Sequence, residues 1–134
     1  IQFIGFRADY FANYLERSWM RFDPNATRDV VTAVMALDRQ EKAPLVMLQD
    51  DGDNKSIRWR FYTHRHGADD LWSRTRYFEV ADAAAVGGVP PRSLLLMRGN
   101  DPRSTTLLAA GCSKIATVPA LDGQPATDIF RRDR

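Results

Sequence analysis

Apolar and polar positions alternate most clearly between Ile57 and Phe78, IRWRFYTHRHGADDLWSRTRYF. Ile57, Trp59 and Phe61 alternate with Arg58, Arg60 and Tyr62. That period of two predicts a strand with one face toward a core and the other toward solvent. A polar turn from His64 to Asp70 follows. Trp72 to Val80 then predicts a second extended run, with Arg74 and Arg76 on one face. Elsewhere the period is helical. Val30, Val34 and Leu37, widened by Val31 and Met35, predict a helix over 27–40 with Asn25 or Thr27 as its cap, Asp29 in its first turn and Pro44 beyond its end. Phe11, Tyr14, Leu15 and Trp19 recur at helical spacing and predict a helix between Arg7 and Trp19.

The remaining signals are short. Ile1 to Gly5 reads as an edge strand. Leu45 to Gln49 reads as a buried strand, joined to the Ile57 strand by a hairpin loop over Asp50 to Asn54. Val80 to Val89 reads as a short helix and turn. Ser93 to Arg98, Thr105 to Ala110 and Lys114 to Val118 read as strands, with a turn at Gly99 to Pro102. Strands about ten residues apart with tight turns predict a mainly β fold, an antiparallel barrel or sandwich. Residues 1–118 are expected to form one domain, and 119–134 a tail or a linker to a missing domain.

Composition changes this picture in two places. The chain has 134 residues, enough for one cored domain, and its net charge is only +2. It is therefore not polybasic, but 16 of its 19 cations are arginine, the residue that forks onto phosphate and guanine. GC-rich coding produces the same skew. Cys112 is the one cysteine, set among Leu107, Leu108, Ile115 and Val118; a buried, inert thiol in a reducing compartment is expected. The expected location is cytoplasmic or nuclear, with the bacterial cytoplasm favoured. No apolar run reaches the length of a membrane span, and no secretory signal is expected.

Candidate chemistry is sparse. Gly87-Gly88 lacks the spacing of a phosphate-cradling loop. His64 and His66, with Asp69 or Asp70, make a weak metal set with no clear third ligand, so no metal is expected. Asp53-Asn54-Lys55 spells part of a metal-dependent nuclease signature, but in a predicted hairpin tip rather than on a core strand. No catalytic triad surrounds Ser104, Thr105 or Thr106. Nucleic-acid binding fits best. Arg58, Arg60, Arg65, Arg74 and Arg76 cluster with His64, His66, Trp72, Ser73 and Thr75, and Arg17, Arg21 and Arg28 flank Asn25. Arginines of this kind position a protein on phosphates and select base edges.

The order of features from Leu45 to Arg98 resembles the B3 family of DNA-binding pseudobarrels. An apolar strand (LVMLQ) meets an acidic hairpin (DDGDNK), then a W-x-F strand, a polar arm, an aromatic run (SRTRYFEV) and an apolar strand ending in arginine (SLLLMR). The resemblance implies an open seven-stranded pseudobarrel with two short helices. It places His64 to Arg76 in one DNA-gripping arm and Arg17 to Arg28 in the region of the other. It implies sequence-specific recognition of double-stranded DNA through the major groove by a module of a larger protein, such as a type II restriction endonuclease. Such a module is not itself catalytic and needs no cofactor, Mg2+ belonging to a missing catalytic domain. Two other classes remain open. One is a small metal-dependent nuclease using Asp50, Asp51, Asp53 and Lys55, or the two histidines. The other is a protein-interaction domain using Phe3, Phe6, Tyr10 and Phe11.

Overall fold

Among the described residues, five strands form one open sheet in the order β2-β1-β3-β5-β4. The structure, a computed structural model, describes residues 23, 25–49, 55–79 and 86–133. Along the chain these give α1 (Thr27–Gln40), β1 (Val46–Gln49), α2 (Lys55–Arg65), α3 (Asp69–Ser73), β2 (Thr75–Phe78), β3 (Leu94–Arg98), α4 (Ser104–Ala109), β4 (Cys112–Pro119) and β5 (Pro125–Arg132). β1 runs parallel to β2 and to β3, whereas β5 is antiparallel to both β3 and β4. Four strands therefore point one way, and the last enters between β3 and β4 in the opposite sense.

The sheet is covered on both faces. Val46 and Leu48 of β1, Leu94 and Leu96 of β3 and Ile129 of β5 pack under α1 (Val30, Val31, Val34), α2 (Trp59) and α3 (Leu71). Their alternates Met47, Leu95, Met97 and Phe130 pack with Phe78, Val86, Val89, Cys112 and Leu107 of α4. Burial on both faces explains why β1 and β3 read as unbroken apolar runs. The segment after β1 crosses one face and the segment after β3 crosses the other. The carboxyl ends of β1 and β3 thus flank a topological switch point.

The helix over 27–40 and the strands at Leu45–Gln49, Ser93–Arg98 and Lys114–Val118 form as expected, within a residue or two at each end. Cys112 is buried, and its burial raises the thiol pKa. Other expectations are corrected. Ile57 to Tyr62 is helix α2, not a strand. A parallel partner for β1 cannot follow through a tight hairpin; it needs a crossover of a dozen or more residues, usually helical. Thr105 to Ala110, also expected as a strand, is mostly α4, for the same reason: it carries β3 over to β4. Residues 125–132, expected in a tail, are β5, an inner strand of the sheet. An open sheet with helices agrees with the expected class only in its coarse outline; the expected antiparallel barrel or sandwich is corrected to a mixed sheet, because β1 pairs parallel with both β2 and β3. Seven strands and a barrel-like closure are not found among the described residues. The strand at 1–5 and the helix over 7–19 lie outside them.

The cap of α1 also differs from expectation. Ala26 takes the cap position at φ 50°, and Asp23 supplies the acceptor: Thr27 N donates to Asp23 Oδ1 at 2.8 Å and Arg28 N to Oδ2 at 3.4 Å. Asn25 and Thr27 are buried instead. Gly99 is required by close approach. It pairs its N–H with the Ala126 carbonyl, and a Cβ there would collide with the backbone of Pro125.

Candidate nucleic-acid interface

Among the described residues, helix α2 is the most basic element. Lys55, Arg58, Arg60 and Arg65 lie on it with His64, and it carries no Asp or Glu. At roughly 3.6 residues per turn, Trp59 and Thr63 fall on one side and Ile57, Phe61 and His64 on the opposite one. Burial follows that division. Trp59 and Thr63 are buried, while Ile57, Arg60, Phe61, His64 and Arg65 are exposed. Trp59 anchors the helix. Its Nε1 donates to Thr75 Oγ1 at 2.9 Å, and Thr75 Oγ1 donates to the Leu71 carbonyl.

The expected interface residues separate into two groups. Arg60, His64, Arg65 and His66 are exposed on α2 and the turn after it. Arg60 lies 5.4 Å from the centre of the Trp72 ring, a cation–π contact that orients the guanidinium. His64 Nδ1 is 3.1 Å from Asp69 Oδ1. Arg58 is half-buried on the same helix. Ser73 Oγ donates to the Asp70 carbonyl, and Arg76, exposed on edge strand β2, donates to the carbonyls of Ser73 and Thr75.

The second group serves the fold. Arg74 donates to both carboxylate oxygens of Asp38 at 2.8 and 2.7 Å, to Asp70 Oδ2 at 2.8 Å and to the Ala43 carbonyl. Only 14% of its side chain is exposed. The guanidinium holds both carboxyls below their ordinary pKa, and they raise its own. A guanidinium with this many internal acceptors has little left for a phosphate. Thr75 is buried, and so is Asn25, whose carbonyl accepts from Thr127 Oγ1. Arg28 sits at the start of α1 beside Asp29, remote in sequence from α2. Arg17 and Arg21 lie outside the described residues, as do Phe3, Phe6, Tyr10, Phe11, Asp50, Asp51 and Asp53.

A polar row at the carboxyl ends of the parallel strands escaped the sequence reading. Gln49 is buried at the end of β1; its Nε2 lies 3.5 Å from Asp101 Oδ2, and its Oε1 accepts from Arg98 N at 3.4 Å. Arg103 chelates Asp101 through Nε and Nη2, lowering the Asp101 pKa to about 2. Asp128, buried on β5, accepts from Thr117 Oγ1 at 2.7 Å and from Asn100 N at 3.2 Å, with Lys114 Nζ at 3.8 Å. A glutamine closing an apolar strand, and an aspartate inside one, are the signals that could have revealed it. On the other face, a cavity of about 10 Å³ lies between Thr27, Trp59, Leu96 and Thr127, too small for an organic ligand.

Among the described residues no group of three or more His, Cys, Asp or Glu side chains is placed to hold a metal ion, and no helix is long and apolar enough to cross a membrane. Compared with protein-family models, curated proteins and solved structures, the chain matches none.

Proposed function

We propose that this chain binds double-stranded DNA through helix α2, as the recognition module of a larger protein such as a restriction endonuclease. The observation that carries the reading is the charge of one helix: Arg60, His64 and Arg65 are exposed on its solvent side, and the element carries no acidic residue. A helix of ordinary width fits the major groove. In its finer form the reading includes a B3-type pseudobarrel, which needs two strands beyond the five described. The contact element differs from that family's ribbon arms, because the arm segment His64 to Arg76 consists of a helix end, a turn, α3 and the first residues of β2.

Fluorescence anisotropy with a labelled duplex tests the reading. The intact chain binds, and affinity falls by tenfold or more between about 50 and 200 mM salt, because each neutralised phosphate releases counterion. Arg60→Ala with Arg65→Ala weakens binding at least tenfold and flattens the salt slope by about two. An unchanged double variant, or a flat salt response in the wild type, would sink it.

The switch point favours a second reading, metal-dependent hydrolysis of a phosphodiester. In open α/β sheets ligands collect outside the carboxyl ends of the strands, and Asp50, Asp51, Asp53 and Lys55 directly follow β1 in the sequence. Incubation of supercoiled plasmid with Mg2+ or Mn2+ decides it. Nicking that Lys55→Ala abolishes establishes the enzyme; intact plasmid under both ions removes it.

A further inference from the structure

The exposed side of α2 carries something that phosphate binding does not need. Ile57 is 68% exposed and Phe61 55%, one helical turn apart on the crest of the face. Arg60 lies on one flank of that crest and Arg65 on the other, as the roughly 3.6-residue period requires. Two large apolar side chains in water are costly, and polar residues would serve the electrostatics equally well. The arrangement matches the cross-section of a major groove: bases at the floor, a phosphate chain on either wall. A helix lying in the groove turns its crest to the floor and its flanks to the walls.

The apolar feature of the groove floor is the C5-methyl group of a pyrimidine, present on thymine and on 5-methylcytosine and absent from uracil and cytosine. Resting on the DNA-binding reading above, we propose that Ile57 and Phe61 recognise pyrimidine C5-methyl groups while Arg60 and Arg65 hold the flanking phosphates. Each methyl covered by the crest leaves water, as do the two side chains. A membrane surface fits less well. Interfacial helices need a continuous apolar face, and here Trp59 is turned into the core, leaving a ridge only two side chains long. A protein partner with an apolar core to its interface would meet a face flanked by cations of one sign.

The test uses the full chain and four duplexes of one length: alternating A·T, the same with uracil for thymine, alternating G·C, and the same with 5-methylcytosine. The expected result is tighter binding to the methylated member of a pair, by about fourfold for each methyl contacted. Preference in the thymine pair alone, the cytosine pair alone, or both identifies the source of the methyl, and each of these supports the proposal. Ile57→Ala with Phe61→Ala abolishes the preference while retaining binding, Phe61→Leu keeps it, and Arg60→Ala weakens all four duplexes without changing the ratios. Both crest residues are exposed, so the variants are expected to keep the wild-type circular dichroism. Equal affinity within both pairs overturns the proposal and leaves the DNA-binding reading standing. A preference that survives in the double alanine variant overturns it as well. No binding to any duplex, or binding to vesicles containing phosphatidylserine instead, overturns both.

Discussion

Arg74 shows how one residue changes meaning once its neighbours are known. In the sequence it is one of five arginines in a basic stretch. In the fold it ties the end of α1, through Asp38, to Asp70 of α3, with Lys42 Nζ 3.5 Å from the same Asp70 carboxylate. Asp38 also accepts from Ala43 N at 2.9 Å, so the same carboxylate shapes the turn into β1. Arg74→Ala leaves Asp38 without its cation in a site where only 18% of that side chain is exposed. The expected loss is about 2–3 kcal/mol, below that of a fully buried pair because water still reaches the site. Urea unfolding measures it, and a loss below about 0.5 kcal/mol, the range of an ordinary surface change, would show the clamp to be ornamental. Trp59 carries the opposite lesson. Its burial was legible, because a large aromatic between arginines belongs inside whichever element holds it. Phe61 was expected beside it and is exposed instead. Residues two apart share a face in a strand but lie on different sides of a helix.

Elements are joined here by polar networks that no local pattern announces. The turn from β3 into α4 is organised around Asp101, whose carboxylate accepts from Arg103 N as well as from its guanidinium and faces Gln49 of β1. Arg103 holds the Asp101 pKa at about 2, below the ordinary value of 3.8. The sign follows. A depressed folded pKa contributes stability above the unfolded value, and that contribution disappears as pH falls from about 4 through about 2. Asp101→Asn is therefore expected to cost about 1–2 kcal/mol near neutral pH, the solvent-exposed guanidinium of Arg103 keeping the figure modest. Denaturant titrations at a series of pH values read the difference. It should shrink steadily below about pH 4, and a gap independent of pH would assign the loss to packing rather than to the ion pair. The same scale explains the misread helices. Ser104 to Ala109 and Lys55 to Arg65 contain residues that suit strands. The strands that each helix connects run in the same direction, however, and the chain must return to the starting end between them. The helical form makes that return while covering a face, and this outweighs a propensity worth a fraction of a kcal/mol per residue.

At the scale of the molecule, the sheet divides the chain's chemistry between two places. The switch point gathers Gln49, Asp101, Arg103 and Asp128 at one end of the strands, while the solvent face of α2 gathers the exposed arginines. The basic stretch was visible from composition alone, since arginine outnumbers lysine by 16 to 3 and five of those arginines fall between Ile57 and Phe78. The switch point was not visible, because it depends on which strands are neighbours. By itself the sequence determined the helix over 27–40, the apolar strands β1 and β3, most of β4, and the burial of Cys112 and Trp59. Each rests on local periodicity or on the hydrophobicity of a single side chain, quantities that neighbours in the chain suffice to set. Only the tertiary structure decided that Ile57 to Tyr62 is helical, that residues 125–132 enter the sheet beside β3, and that Arg74 faces carboxylates rather than solvent. Those outcomes depend on pairings between segments far apart in sequence, such as Leu96 with Ile129, and a local pattern carries no information about its distant partner.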